Sequence, residues 1–141
     1  MTNTLRLNAA QLSHTGPKDI NEDAMALQLP QGHGLSSYTA AAAIADGLSS
    51  AAGGRIAAET SVTNFINDFL ATPSSWSVKT AGLKVLSALN RWLHGQGQHY
   101  HHNHQGCLTT FTGFIIRGNT GHIFHVGDSR LYRLRENDWE C

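Results

Sequence analysis

Three short segments of the chain each place a carboxylate beside an apolar run, close to residues that leave room for a ligand. They are Asn-Glu-Asp-Ala at 21–24, Ile-Ala-Asp-Gly at 44–47 and His-Val-Gly-Asp-Ser-Arg at 125–130. Carboxylates at strand ends beside glycines suit a site for hard divalent cations, because glycine lets backbone and ligand approach closely. These segments predict a metal site built from residues far apart in the sequence.

The candidate ligands are all oxygen donors, and this decides which metals suit them. The four carboxylates are Glu22, Asp23, Asp46 and Asp128. Oxygen-rich sites select Mg²⁺ or Mn²⁺ over zinc or copper. Two such ions that share one carboxylate can hold a bridging water of lowered pKa, which attacks a phosphorus centre as hydroxide. Such a reaction needs no nucleophilic side chain.

Composition limits the partners and the location of the protein. The 141 residues fit one domain, and ten Lys and Arg balance ten Asp and Glu, so the formal net charge is zero. A neutral chain has no strong field for nucleic acid or a membrane surface, and neither partner is expected. The longest apolar stretch, 40–45, is too short to span a bilayer, and the amino terminus lacks a signal core. Two distant cysteines, Cys107 and Cys141, indicate neither a disulfide framework nor a zinc site, which favours the cytoplasm.

The elements that must position the carboxylates are predicted as strands, two helices and further strands. Apolar runs predict strands at 5–12, 24–29, 38–45, 108–117, 122–126 and 131–135. The run at 38–45 is rich in alanine, which favours helix, but turn residues bracket it and it is short for a helix. Gly-Asn-Thr-Gly at 118–121 predicts a tight hairpin turn. The pattern indicates an α+β fold with mainly antiparallel sheets.

Both predicted helices carry an apolar stripe that needs a partner surface. The first runs from about 50 to 70, with Ser49 or Ser50 as its N-cap, and the second from about 77 to 93. The stripes consist of Ala58, Val62, Phe65 and Phe69 in the first helix, and of Ala81, Val85, Leu89 and Trp92 in the second. These residues are the predicted core of the helix pair.

Taken together, the motifs resemble those of a known family. The matching segments are 15–18, 21–24, 45–47, 106–110 and 126–132. Their order, spacing and predicted strand ends are similar to those of the bacterial branch of the metal-dependent protein phosphatases, the protein phosphatase 2C type. The resemblance implies an α-β-β-α sandwich of two mainly antiparallel sheets flanked by helices. It also implies hydrolysis of phosphoserine and phosphothreonine in phosphorylated protein substrates.

The resemblance further implies roles for individual residues around two Mn²⁺ or Mg²⁺ ions. Asp46 matches the aspartate that bridges the two metals, and Gly47 the residue whose backbone carbonyl ligates one of them. Glu22 matches a metal ligand, and Asp23 an acid at the metals that orients metal-bound water. Asp128 matches an aspartate that helps hold a third, weaker metal in bacterial members. Asp46, Glu22 and Asp23 are therefore the expected catalytic residues.

Two residues depart from the family pattern. Lys18 stands where most members have an arginine that grips the substrate phosphate, and a point charge holds phosphate less directionally than a planar fork. We therefore expect a weaker KM. Leu48 follows Asp46 and Gly47 where many members have Met or His, so no histidine there protonates the leaving group. The Asp-Gly-hydrophobic-Ser-Ser pattern resembles bacterial phosphatase domains fused to a Ser/Thr kinase domain, which makes such a kinase, fused or separate, a candidate partner.

Two further aspartates complete the family's binuclear centre, and both lie downstream of the position that matches Cys141. Residues 1–141 are therefore expected to be the N-terminal portion of a single phosphatase catalytic domain, truncated at the C-terminus and inactive or nearly so alone. The alternative is a noncatalytic phosphatase-like domain that binds a partner or a phosphorylated segment. Lys18, Leu48 and the missing acids motivate this alternative.

Other polar residues receive no chemical role from the sequence. His125 is interpreted as a packed or hydrogen-bonded strand residue. Thr109 and Thr110 could hydrogen-bond near the metal site, but β-branched strand residues are the default interpretation. A cluster of histidines in a Gln/His/Gly-rich stretch is interpreted as surface residues; its members are His99, His101, His102 and His104.

Overall fold

Strands and helices follow one another in the order ββααββββ in this computed structural model. The structure describes residues 5–31, 38–49, 51, 53–98 and 106–141. The strands are β1 (Asp23–Gln28), β2 (Thr39–Asp46), β3 (Phe111–Arg117), β4 (Thr120–Val126), β5 (Arg133–Arg135) and β6 (Asp138–Glu140). The helices are α1 (Gly54–Leu70) and α2 (Val78–Gly97). Along the chain, the two helices therefore come between two groups of strands, as predicted.

The first four strands form one antiparallel sheet in the order β1-β2-β3-β4. Asp23 at the start of β1 pairs with Asp46 at the end of β2. Side chains alternate along a strand, so every second alanine of β2 faces the same way. These buried alanines are Ala41, Ala43 and Ala45. The run is a strand in spite of its helix propensity because it is paired on both sides and packed on this face.

Helix α1 covers that face of the sheet through the predicted stripe. Its stripe residues Ala58, Val62, Phe65 and Phe69 are all buried. The centroid of the Phe65 ring lies 4.8 Å from that of Phe111 and 5.6 Å from that of Phe124, both at steep interplanar angles. Edge-to-face contacts of this kind join α1 to β3 and β4.

Helix α2 packs on the same core, with one correction to its predicted stripe. Ala81, Val85 and Leu89 are buried as predicted. Trp92, however, is 45% exposed, and Leu93 is buried instead, in a small cluster with Ala57 and Cys107. Trp92 and Leu93 are three and four residues after Leu89, and both spacings return to the same helical face. Leu93 is the buried one because it packs against Ala57 of α1. The helix also continues to Gly97, beyond its predicted end.

Strands β5 and β6 form a separate two-stranded antiparallel sheet. Both helices share one hydrophobic core with the same face of the four-stranded sheet. The opposite face presents exposed apolar side chains, among them Leu27, Ile44 and Ile123. The predicted α+β class and the antiparallel sheets are confirmed.

Some predicted boundaries were wrong. Residues 5–12 form no strand, and Leu12 is 86% exposed, so their alternation does not mark a buried face. Helix α1 begins at Gly54 with Gly53 as N-cap and without a side-chain capping bond, and β5 begins only at Arg133. Ser50 and the histidines at 99–104 lie outside the described residues. Within the described ranges, no helix has the length and apolar character needed to cross a membrane.

Candidate metal centre

The acidic residues predicted to bind metal come together where β1 begins and β2 ends. Asp23 and Asp46 lie opposite each other in the register of the two strands. The Gly47 N–H donates to the Glu22 carbonyl oxygen at 3.1 Å, which extends the pairing one step beyond the strands. The backbone thus brings Glu22, Asp23 and Asp46 to one edge of the sheet. We call these three residues, with Asp128, the candidate metal centre.

Asp46 lies within electrostatic reach of the other charged groups around this edge. Its pKa is raised, first by partial burial and then by the charge of Asp23 and a side-chain hydrogen bond with Asp23. The charge of Asp128 also raises this pKa, whereas the charge of Lys18 lowers it. Neighbouring carboxylates disfavour each other's ionised form. A divalent cation placed among them would relieve that repulsion.

The first turn of α1 lies directly against the candidate metal centre. A Cβ atom on Gly47 would collide with the carbonyl oxygen of Gly54, and a Cβ atom on Gly54 would lie 3.0 Å from Glu22 Oε1. The lack of side chains at both glycines lets the helix begin beside the Glu22 carboxylate. The unpaired N–H groups at a helix N-terminus favour negative charge. The part played by Gly54 was not predicted, because its contact with Gly47 depends on the path of the chain.

Asp128 belongs to the turn after β4, and Thr110 anchors this turn. Thr110 Oγ1 accepts a hydrogen bond from the Asp46 N–H at 3.0 Å and shares another of 2.8 Å with Ser129 Oγ. The default interpretation of Thr110 as an ordinary strand residue was therefore incomplete. Its position just before β3, beside the end of β2, could be recognised only once the strands were paired.

His125 fixes the same turn from the other side. Its Nδ1 lies 2.8 Å from the Thr112 hydroxyl, and its Nε2 lies 2.9 Å from the Gly127 carbonyl oxygen. A neutral imidazole satisfies both contacts when Nε2–H donates to the carbonyl and Nδ1 accepts from the hydroxyl. His125 is thus a hydrogen-bonded strand residue, as interpreted from the sequence.

Lys18 is a cation whose charge acts on Asp46, and its ammonium group is hydrogen-bonded to a neighbouring hydroxyl. Its Nζ donates to Ser49 Oγ at 3.2 Å, and its charge lowers the Asp46 pKa. Ser49 therefore contacts Lys18. The prediction that Ser49 could be the N-cap of α1 was wrong, because Gly53 has that position. In the loop before Lys18, His14 Nδ1 accepts the Gly16 N–H at 2.9 Å, which shapes that loop.

The donor set fits a hard divalent cation, and the structure brings together part of a coordination sphere. The side-chain donors are carboxylates, the ligand type that Mg²⁺ and Mn²⁺ prefer, and partial burial followed by the charge of Asp23 raises the Asp46 pKa. Over the described residues, no group of three or more His, Cys, Asp or Glu side chains is close enough together to hold a metal ion. The individual roles of these residues stay predictions.

Comparisons with known proteins agree with the resemblance seen in the sequence. A sequence profile of the protein phosphatase 2C family matches residues 10–140. No curated protein gave a significant match. The solved structure of the S. agalactiae serine/threonine phosphatase superposes with a TM-score of 0.71 at 25% sequence identity. The match covers 87% of this chain and 49% of that one, so this chain spans about half the length of that phosphatase. Because the family profile matches nearly the whole sequence, the chain belongs to the protein phosphatase 2C family.

Proposed function

We propose that this chain supplies part of the catalytic site of a metal-dependent Ser/Thr phosphoprotein phosphatase. One observation carries the proposal: Asp46 lies opposite Asp23 in the strand register, and Thr110 links its backbone to Ser129, the residue after Asp128. Carboxylates that can hold cations, near the Lys18 ammonium group, suit the binding of metal and phosphate at one place. The family is generally metal-dependent, and the superposed S. agalactiae protein is a serine/threonine phosphatase.

Glu22, Asp46, Asp128 and the Gly47 carbonyl would hold the Mn²⁺ or Mg²⁺ ions. When bound, the ions would supply Lewis acidity at the phosphate and a nucleophile from water at neutral pH. The first turn of α1 lies against Glu22, and a Cβ atom on Gly54 would be 3.0 Å from Glu22 Oε1, so the glycine leaves room for this carboxylate.

Lys18 would bind the substrate phosphate, and Asp23 would orient the attacking water. The Lys18 ammonium donates one of its three N–H groups to Ser49, which leaves donors for phosphate oxygens. Asp23 lies opposite Asp46 and can accept a hydrogen bond from water held there. Leu48 has no proton to give, so water or another group must protonate the leaving alkoxide.

The wider setting of this activity is also part of the proposal. Residues 1–141 would be the N-terminal portion of a catalytic domain, supported by the 49% coverage of the S. agalactiae phosphatase. The substrates would be proteins that carry phosphoserine or phosphothreonine, and the Asp-Gly-Leu-Ser-Ser sequence supports a Ser/Thr kinase as partner. A cytoplasmic location is supported by the free thiols of Cys107 and Cys141.

A noncatalytic domain that binds a phosphorylated segment is the second candidate. It is favoured by Lys18, which retains a charge for phosphate without the fork of an arginine, and by Leu48 beside the centre. Binding of a phosphothreonine peptide in the presence of EDTA, unchanged by Asp46→Asn, would support this candidate over the phosphatase.

The test of the phosphatase is Mn²⁺-dependent phosphate release from a phosphothreonine peptide by a protein that contains the complete domain. We expect Asp46→Asn to lower kcat by about 100-fold or more, because a carboxylate that would hold the metal ions is lost. The matched control is Asp68→Asn, which removes an exposed carboxylate of α1 outside the candidate metal centre. Unchanged turnover in Asp46→Asn would overturn the proposal. The 141-residue chain alone should release little phosphate.

A further inference from the structure

Thr110 holds Asp46 through both polar groups of the Asp46 backbone. The Thr110 N–H donates to the Asp46 carbonyl oxygen at 2.9 Å, and Thr110 Oγ1 accepts the Asp46 N–H at 3.0 Å. In an ordinary antiparallel pair the second bond would end on the carbonyl of residue 110. Here that carbonyl accepts from the Thr109 hydroxyl at 2.9 Å, and the Thr110 hydroxyl takes its place. The end of β2 is therefore positioned by a side chain.

The same hydroxyl also reaches the turn that carries Asp128. Thr110 Oγ1 lies 2.8 Å from Ser129 Oγ, next to Asp128 in the chain. Gly127 has a φ of 105°, and a Cβ atom there would lie 2.8 Å from Thr110 Cβ and Cγ2. The turn thus lies directly on the Thr110 side chain, and glycine is needed both for the close approach and for the positive φ.

We propose that Thr110 is a positioning residue of the candidate metal centre, and that the hydroxyl pair of Thr110 and Ser129 sets the separation of Asp46 and Asp128. The proposal rests on the proposed function in so far as these two carboxylates bind cations. Thr110 touches neither carboxylate through its hydroxyl. It acts on one through the backbone of Asp46 and on the other through the residue that follows Asp128.

The chain offers a matched control two residues along. Thr112 is buried like Thr110, at 4% and 8% exposure, and its hydroxyl also makes a 2.8 Å hydrogen bond, but to His125. Thr110→Val and Thr112→Val therefore remove similar groups and should cost similar stability. Thr110→Ser keeps the hydroxyl and should therefore retain the Mn²⁺ affinity that Thr110→Val loses.

The first measurement is the Mn²⁺ affinity of the 141-residue chain, which is determined from the electron paramagnetic resonance signal of free Mn²⁺. We expect Thr110→Val to weaken binding by about tenfold or more, within the range for residues that orient metal ligands. Thr110→Ser should bind as the unaltered chain does. Thr112→Val should weaken binding less than Thr110→Val, because Thr112 reaches the Asp128 turn only through His125 and has no bond to the Asp46 backbone. Ser129→Ala should weaken binding too, and adding it to Thr110→Val should cause little further loss, because both variants break one link.

The second measurement needs no metal and tests the link itself. In EDTA, Ser129→Ala should shift the Asp46 amide resonance and speed its hydrogen exchange, whereas Thr112→Val should change it less. Equal Mn²⁺ affinity of Thr110→Val and Thr112→Val, or an Asp46 amide unaffected by Ser129→Ala, would overturn the inference. Failure of the unaltered chain to bind Mn²⁺, with the amide coupling intact, would instead count against the proposed function and leave the positioning link standing.

Discussion

Asp46 must end a strand and also keep its charge beside Asp23. Strand pairing sets the two carboxylates opposite each other, and burial and the Asp23 charge raise the Asp46 pKa. The folded state therefore disfavours the ionised form that a metal ligand needs. Strain of this kind is typical of functional sites, where like charges are held together for a ligand.

From this repulsion we predict that Asp46→Asn stabilises the metal-free chain at pH 7, by less than about 1 kcal/mol because the site is open to solvent. The folded-state pKa of Asp46 is raised, so its unfavourable contribution is present at neutral pH and disappears as the pH falls through that pKa. Thermal unfolding in EDTA from pH 4 to 8 measures both effects.

The control for this stability prediction is the Mn²⁺ response of the same variants. Mn²⁺ should raise the Tm of the unaltered chain and of Asp68→Asn, and it should not raise that of Asp46→Asn. A lower metal-free Tm for Asp46→Asn than for the unaltered chain would show that the two carboxylates do not repel each other.

At the scale of elements, helix α2 approaches strand β4 closely at a residue that has no side chain, Gly82. The Phe124 ring of β4 lies on the backbone of α2 at Gly82, where a Cβ atom would collide with the ring. Phe124 also contacts the Phe65 ring, so the ring has neighbours on both sides. Gly82 therefore sets the distance between α2 and the sheet.

We predict that Gly82→Ala destabilises the chain by about 1–3 kcal/mol, because the crowding outweighs the better helix propensity of alanine. Gly95→Ala is the matched control in the same helix, since a Cβ atom at Gly95 would have no described atom within 4 Å beyond the adjoining backbone of α2. It should stabilise by about 0.5–1 kcal/mol. Urea unfolding measures both, and equal signs for the two variants would refute the packing argument.

On the scale of the whole molecule, the helices cover one face of the four-stranded sheet and the other face carries exposed apolar groups. Ile123 is 55% exposed on β4 and Ile44 is 41% exposed on β2. Apolar surface of this kind promotes association between chains. The chain also spans about half of the phosphatase it superposes on.

We predict that Ile123→Thr reduces self-association of the 141-residue chain at equal stability, because threonine keeps β propensity and removes apolar surface. Val126→Thr is the control: Val126 is 57% exposed on the same strand, but three residues away and thus on the opposite face. Sedimentation velocity measures the effect. Equal association of the two variants would show that the open face is not involved.

The sequence predicted the elements correctly where the local hydrophobic pattern matched the surface that each element buries in the fold. The stripe of α1 and the strand that ends at Asp46 were predicted correctly, because periodicity and bracketing turns act locally. Residues 5–12 alternate without a buried face, and Leu93 replaced Trp92, because both depend on which neighbour covers the element. The Thr110 link to Asp46 spans 64 residues and becomes visible only in the paired sheet.

The central claim is that carboxylates from three segments bind one group of divalent cations. The direct measurement is the broadening of amide resonances in the 141-residue chain when Mn²⁺ is added in small steps. The account predicts early, selective loss of the Glu22, Asp23, Asp46, Gly47 and Asp128 signals, with the Asp68 signal retained. Uniform broadening over all exposed carboxylates, or early loss confined to other residues, would contradict it.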